Sequence, residues 1–592
     1  MFTGLCSPYR PSRRSHSLPP GRHRHCLIVR QPRGAEPSHS ERMTTDLVAP
    51  RESARPTSLT SANLETDVIV VGGGGGGLPT ALFSKWLGND VILLEKAPEL
   101  GGTVRKAAFW YWVPNNEPMR ALGIEDRFED FLRYVARLSQ PTRYDPESPT
   151  AGLTEWEVGM VRAFHESASP AAELLAERGA LTYRHCPDVP DYWSELPEDK
   201  APKGRVLVPA DARESMSDGG ARAVEQLSAA AERDGVHVYT GHRVQRLILD
   251  AGRVTGVEAT TVSGDTVRVL ARKGVVFATG GFTHDDQLRR DHLGVPAYPG
   301  CAAVTNEGDF VRIASPLGTQ LGTMNHAWMC PVPLEKTGRS DLVGMFSVAG
   351  DSMILVNRHG ERVANEKQPY NEAARTFFRW DPATGSYPNL VLVQLWDQRS
   401  QDHSASDEYG RLIVPPGNDD EHVIKGQTLA ELTAKIRERL SALAAKTGGF
   451  KLAEDFEENL PGTIDRFNGF AANGKDEDFA RGDTAIQLVF NGPVKEEPGR
   501  TNPTMWPISD TGPYYAALVT GGTLDTKGGP RTDPDGRVLD DLGAPIPGLY
   551  GVGNCVASAS GRAYWAGGAT LGPIIAFAYR AARAVDRADV RA

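Results

Sequence analysis

Residues 67–103 read DVIVVGGGGGGLPTALFSKWLGNDVILLEKAPELGGT, with six consecutive glycines placed directly after a run of buried-strand residues. Val68 to Val71 have the β-branched character of a parallel strand covered on both faces. Gly72, Gly74 and Gly77 satisfy G-x-G-x-x-G, Gly75 lies within the same turn, and Ala81 begins the close-packed face of a helix. A second apolar run, Val91 to Leu94, ends on Glu95, 18 residues beyond Gly77. Strand, glycine turn, helix, second strand and acid in this order predict a dinucleotide site. The glycines let the backbone turn sharply against a pyrophosphate, and the open N–H groups of the helix meet its charge. Glu95 is expected to accept from a ribose hydroxyl, with Lys96 beside it. A flexible linker would not be flanked by VIVV and VILLEK. The fingerprint alone leaves the identity of the dinucleotide open.

At 592 residues the chain exceeds one compact core, so two or more domains are expected. Hydrophobic content of 40% with 24% charged residues is that of a globular protein. A net charge of −10, with no basic cluster after residue 60, argues against a nucleic-acid surface. No stretch approaches the roughly 18 apolar residues of a membrane span, so no transmembrane segment is expected. Six cysteines are scattered without a CxxC, and fourteen histidines form no HxxxH cluster. That pattern predicts no metal site and a reducing, cytoplasmic location. Residues 1–62 are rich in Arg, Ser, Pro and His and lack periodicity; they are expected to be a disordered extension, with Met43 as a natural start. Arg13-Arg14 is not followed by the apolar region of a twin-arginine signal.

Helical spacing is present over Phe128–Leu138, Met160–Arg178 and Ala221–Asp234, and the strand Val236–Thr240 follows. Val244–Leu249, Val254–Thr261 and Thr266–Leu270 read as an antiparallel meander, after which Gly274–Gly281 re-enters a buried strand. From about Ala327 to about Pro503 the composition is mixed, with one long helix near Leu429–Ala445. The C-terminus returns to the earlier style with Gly548-Leu-Tyr-Gly-Val-Gly-Asn554, a glycine-rich loop and the helix Leu571–Val585. The fold class expected is α/β: a Rossmann-like dinucleotide-binding domain over 63–326 and 505–592 (an FAD-binding domain of the GR2 type by the resemblance described next), interrupted by an inserted α+β catalytic or cap domain over 327–504. Ligands favour the cleft between two such domains.

The G-x-G-x-x-G start, the internal ATGGF (Ala278 to Phe282) and the terminal GLYGVGN together resemble the flavoprotein superfamily of fumarate reductases, succinate dehydrogenases and 3-ketosteroid dehydrogenases. The resemblance spans roughly residues 64 to 590 and implies FAD. By it, Gly102, Thr103, Ala278, Gly280, Gly553 and Asn554 join the cofactor site. The helix opening at Leu571-Gly572 would point its positive end at the flavin. The covalently joined histidine of quinone-linked members is missing from Gly101-Gly-Thr-Val-Arg-Lys-Ala-Ala-Phe109, so FAD should be non-covalent. Fumarate reductases place a proton-donating arginine four residues after an Asn-Glu pair; here Asn365-Glu366 leads to Tyr370. Within the superfamily this pattern looks like 3-ketosteroid Δ1-dehydrogenase, whose NE-x-x-PY, DYY and YPGPGG elements correspond to Pro369-Tyr370, Asp191-Tyr192-Trp193 and Tyr564 to Gly568.

That resemblance implies desaturation beside a ring ketone. An α-proton goes to a base, Tyr370, and the β-hydrogen leaves as hydride to the flavin. Tyr564 hydroxyl and Gly568 N–H would hold the ketone oxygen as charge grows on it. Free tyrosine titrates near pH 10, so a tyrosinate at neutral pH costs about 4 kcal/mol unless the site lowers that value. Tyr192 would assist by hydrogen bonding to Tyr370. Trp110-Tyr-Trp112 reads either as pocket lining or as core, and Tyr514-Tyr515 as a strand under the flavin. Trp565 stands where the family has a rigid proline, and Arg379–Tyr387 and Ser404–Asp420 are additions. The expected partners are a small hydrophobic cyclic ketone and an unknown electron acceptor. The steroid reading has two alternatives: the same reaction on a smaller ring such as 4-oxocyclohexanecarboxylate, or a fumarate-reductase-like enoate reductase. Arg105, Lys106 or Arg562 reaching the pocket would favour the carboxylate.

Overall fold

The computed structural model describes residues 64–213, 218–342, 350–404, 420–492 and 497–589. The expected N-terminal extension and nearly all of the 404–420 addition lie outside the described residues.

β1 (Leu64–Val71) lies between two parallel neighbours, β2 (Val91–Leu94) and the strand Thr266–Phe277. His237–Tyr239 extends the sheet beyond β2, and Leu549–Gly551 pairs in parallel with Val275–Phe277 on the other side. The period of 2, with a core on each face, explains why Val68–Val71 of β1 and all of β2 are apolar. Val68, Val70, Val91 and Leu93 enter one core, under α1 (Gly77–Trp86) and the C-terminal helix Leu571–Asp586. Ile69, Val71, Ile92 and Leu94 enter a second core, with Val244, Val257 and Val269 of the meander. The meander's third strand and the buried strand after it are one continuous element, Thr266–Phe277. Its first half pairs antiparallel with Arg253–Thr261, while its last residues lie between β1 and Leu549–Gly551.

A second, antiparallel sheet is built on the 13-residue strand Tyr514–Thr526. Ala327–Pro333 flanks one side of it, and Val391–Asp397 followed by Met353–Val356 flanks the other. Ile424–Gly426 pairs with its first residues. Two helices cover this sheet, Leu429–Ala442 and Phe456–Asn473. The second helix escapes a periodicity reading because Pro461, Gly462 and Gly469 interrupt it. Leu460, Ile464, Phe467 and Phe470 nevertheless share its buried face. Tyr514 and Tyr515 stand at the distant end of the strand, bonded to Ser509 and Gln398, while Leu524 and Asp525 at the other end line a cavity. Among the described residues no helix is long and apolar enough to cross a membrane.

Candidate active site

The glycine turn is packed without space for side chains. Gly72 has φ +103°, and a Cβ on Gly77 would stand 1.7 Å from the Gly72 carbonyl oxygen. Gly74 and Gly75 sit between them, facing Gly101 and Val104. In the first turn of α1, Leu78 N–H donates to Gly74 O and Thr80 N–H to Gly76 O, and Pro79 has no N–H. Glu95 closes the turn from β2: one carboxylate oxygen accepts Gly73 N–H at 2.6 Å and the other Ala97 N–H at 2.7 Å. Beside it lies a hollow of ≈ 30 Å³ lined by Gly72, Glu95, Lys96, His242, Val244 and Thr279. Among the described residues the buried Nε2 of His242, which lines it, has no hydrogen-bond partner. Lys96 is held at 3.0 Å by Glu307 and at 2.6 Å by Asp309. A tight anion cradle and an unsatisfied ring nitrogen next to a carboxylate fit the pyrophosphate and adenosine portions of FAD.

From this hollow the remaining cofactor candidates lead toward a second cavity, of ≈ 160 Å³. Ala278 N–H donates to Val71 O, and Gly280 (φ +73°) lets the chain pass against the Asn306 side chain. Thr103 Oγ1 accepts from Ala303 N–H and from the Asn306 amide. Asp525 collects the amides of Asn306 (2.8 Å) and Asn554 (3.1 Å) and the N–H of Gly281 (2.9 Å). Burial pushes its carboxyl up to about 6, against the pull of those donors. Asn554, one residue after Gly553, accepts in turn from the Trp328 indole at 3.1 Å. Gly572 lies in the first turn of the C-terminal helix where a Cβ would meet Trp112 O at 1.9 Å, so the helix start is drawn tight against the Trp112 backbone, and Leu571 beside it lines the cavity. Asp525, Asn306 and Trp328 were not foreseen. The available signal was an acid closing an apolar strand, ALVTGGTLD.

Three tyrosines from separate segments meet at this cavity. Tyr192 OH donates to Tyr370 OH at 2.8 Å. The Tyr192 ring stacks on Tyr564 at 5.5 Å, and Tyr370 and Trp328 each meet Tyr564 edge-on at 5.0 Å. Tyr370, Tyr564, Gly568, Trp110 and Trp328 line the cavity. Gly568 has φ +89° and packs on the Trp110–Trp112 backbone, its carbonyl accepting Trp112 N–H. Tyr370 and Tyr564 are both pushed above the ordinary tyrosine value by burial, Tyr370 strongly and further by its tyrosine neighbours. The protein around Tyr370 therefore does not make it more acidic; it favours the neutral phenol. Of the Trp-Tyr-Trp run, only Trp110 faces the cavity. Tyr111 and Trp112 pack in the core, with the Trp112 indole on Asp191 at 2.8 Å.

Tyr192 is positioned from behind. Its backbone N–H donates to Trp565 O, which also accepts Tyr134 OH. Trp565 is buried, bonded to Ser139 and stacked on Phe164, so the residue replacing proline anchors the loop to the helices. Before and after Tyr192, Asp191 and Asp199 grip the buried Arg205, which also forks onto Asp126 at 2.8 Å through two nitrogens. Of the three basic candidates for the pocket, Lys106 lines it. Arg105 is partly exposed and bonded to Leu100 O, and Arg562 lies beside Glu372 in a neighbouring cavity.

A family model described as FAD binding domain matches residues 67–571. The chain is 34% identical to 4-oxocyclohexanecarboxylate 2-dehydrogenase of Sinomonas cyclohexanicum, covering 88% of this chain and 92% of the relative. It is 30% identical to 3-oxosteroid 1-dehydrogenase of Mycobacterium tuberculosis, covering 88% and 98%. The crystal structure of 3-ketosteroid Δ1-dehydrogenase from Sterolibacterium denitrificans, in complex with 1,4-androstadiene-3,17-dione, aligns with a TM-score of 0.71 at 26% identity, covering 88% of this chain and 99% of that one. The chain belongs to the FAD binding domain family, in the fumarate reductase and succinate dehydrogenase flavoprotein superfamily that includes the 3-ketosteroid dehydrogenases, and is an FAD-dependent oxidoreductase acting on CH–CH groups.

Proposed function

We propose that this protein places a C=C bond beside the ketone of a small hydrophobic cyclic substrate. The observation that carries the reading is that Tyr370, Tyr564 and Gly568 line one cavity, with Tyr192 bonded to Tyr370 and stacked on Tyr564 behind them, and that Asp525 and Asn554 of the cofactor side border the same cavity. FAD, when bound, supplies the hydride acceptor for the β-hydrogen. Tyr564 OH and Gly568 N–H donate to the ketone oxygen and favour the enolate-like charge that develops there. Tyr370 takes the α-proton. Tyr192, donating to Tyr370 oxygen at 2.8 Å, fixes the direction of that oxygen. The aromatic walls of Trp110 and Trp328 exclude water. Relatives acting on a 3-oxosteroid and on a cyclohexanone acid support a ring ketone as the common substrate feature. Tyrosine at position 370, where fumarate reductases carry arginine, speaks against the enoate reductase.

We further propose that non-covalent FAD lies along Gly72–Gly77, Glu95, Thr103, Gly280, Asn554 and Gly572. The domain division is part of the same proposal, with the strand Tyr514–Thr526 assigned to the cap because the strands it forms ladders with, Ala327–Pro333, Val391–Asp397 and Ile424–Gly426, lie there. The electron acceptor is taken to be a soluble partner. The test is anaerobic mixing of the oxidised yellow enzyme with androst-4-ene-3,17-dione and with cyclohexanone acids. Bleaching of the flavin band should accompany a new conjugated-enone absorbance. Bleaching by none of the ring ketones would defeat the proposal.

A further inference from the structure

Lys106 is the one cationic side chain among the described residues lining the cavity, and it stands among aromatic and aliphatic groups. It ends the short 3₁₀ turn Gly102–Lys106, which the chain forms directly after the cofactor glycines. Its ammonium donates to three main-chain carbonyls: Ala302 at 3.2 Å, Leu342 at 3.1 Å and Ser340 at 3.4 Å. No described carboxylate comes within ion-pairing distance. Residues 343–349, which follow Leu342, contain no acidic residue. Among the described residues the only acid bordering the cavity, Asp525, is occupied by Asn306, Asn554 and Gly281. Burial pulls the lysine below its ordinary value, with Cys301 and Asp341 as weak counterweights.

A partly buried ammonium served by carbonyl dipoles alone has its hydrogen bonds satisfied but its charge unmatched. A neutral steroid would leave it so. A monocyclic ketone bearing a carboxylate would supply the missing charge, its oxygen replacing the longest of the three contacts, Ser340 O at 3.4 Å, as acceptor of a charge-assisted hydrogen bond. We propose that Lys106 is the carboxylate anchor of the substrate site and that the substrate is a cyclohexanone-type keto acid. The ketone would face Tyr564 and Gly568 and the carboxylate Lys106. This inference rests on the ring-ketone desaturation proposed above and names its substrate class.

The test uses the holoenzyme with two probes of similar ring size, 4-oxocyclohexanecarboxylate and 4-methylcyclohexanone, and with androst-4-ene-3,17-dione as a third. Wild type should favour the acid in kcat/KM over both neutral ketones. In Lys106→Met the acid-to-neutral ratio should fall by about 10- to 100-fold, the range expected for one hydrogen bond to a charged group. Lys106→Arg should recover most of it. Binding of the acid to the oxidised enzyme, followed by the shift it causes in the flavin spectrum, should weaken in parallel. The anchor is refuted if wild type prefers the steroid, or if the ratio is unchanged in Lys106→Met. It is equally refuted if all ketones lose activity together with altered flavin content, which would assign Lys106 to the cofactor or the fold. Should wild type desaturate no ring ketone at all, the reaction itself is wrong, an outcome distinct from any of these.

Discussion

The glycine turn at residues 72–77 and the tyrosine cluster around the cavity are both exacting, yet they are built by opposite means. The turn is one continuous segment whose specificity lies in missing side chains. Gly77 touches the Gly72 carbonyl so closely that the loop has a single shape, set by residues a few positions apart. The cluster is assembled from residues 192, 370, 564 and 568, and each tyrosine is placed by something distant. Arg205 and its three aspartates hold the segment around Tyr192, Trp565 carries the backbone bond to it, and the turn after Pro369 presents Tyr370. Holding a cofactor can be encoded locally; choosing a reaction here requires the whole fold.

The contrast can be broken most severely at the glycines. Gly77→Ala puts a methyl group 1.7 Å from a carbonyl oxygen that cannot retreat without opening the turn. The variant is expected to purify colourless and inactive, by flavin absorbance per protein, with helix content by circular dichroism near wild type. A yellow Gly77→Ala protein would mean that the cradle is not the cofactor site.

Tyr370→Phe should do the reverse, keeping FAD while lowering kcat by about 10²–10⁴-fold, the usual span for a lost acid–base group. Because burial raises Tyr370 above its ordinary value of 10.0, the reactive phenolate is the minor form near neutrality. Its population, and with it kcat/KM, should climb about tenfold per pH unit between roughly pH 7 and 9. A plateau beginning below pH 7 would contradict the sign of that shift. Tyr564→Phe removes one of the two ketone-oxygen donors and is expected to cost about 10²–10³-fold in kcat. Equal kcat for Tyr564→Phe and wild type would remove that residue from the mechanism. At the small end, Tyr514→Phe loses only a bond to Ser509 O at the far end of its strand, and turnover should stay within about twofold of wild type, as for most substitutions remote from a site.

The same contrast explains what the chain discloses before it is folded. The βαβ unit, the meander and the C-terminal helix are written in local periodicity, and all are present with ends shifted by a few residues. The helix Phe456–Asn473 is hidden because Pro461 and two glycines mask an apolar face that packing nevertheless recruits. No spacing announces the tyrosines; only the resemblance of the NE-x-x-PY and C-terminal glycine-loop segments points to them. The support behind them was not legible at all. Asp525 reads as the polar end of a strand, Arg205 as one more surface arginine, and Trp565 as a departure from a pattern. Their importance comes from contacts between segments far apart in the chain, including Arg205 with Asp126 and Trp565 with Ser139 and Tyr192. Lys106 was legible as a candidate, but its selection over Arg105 and Arg562 required the cavity.

The central claim, that a buried tyrosine removes the α-proton of a ring ketone, is tested most directly by anaerobic single-turnover stopped flow. Wild type and Tyr370→Phe, matched for FAD content, would be mixed with saturating ring ketone and followed at the flavin band. The account predicts rapid bleaching with enone formation in wild type and bleaching about 10²–10⁴-fold slower in the variant. Bleaching of Tyr370→Phe at the wild-type rate would contradict it.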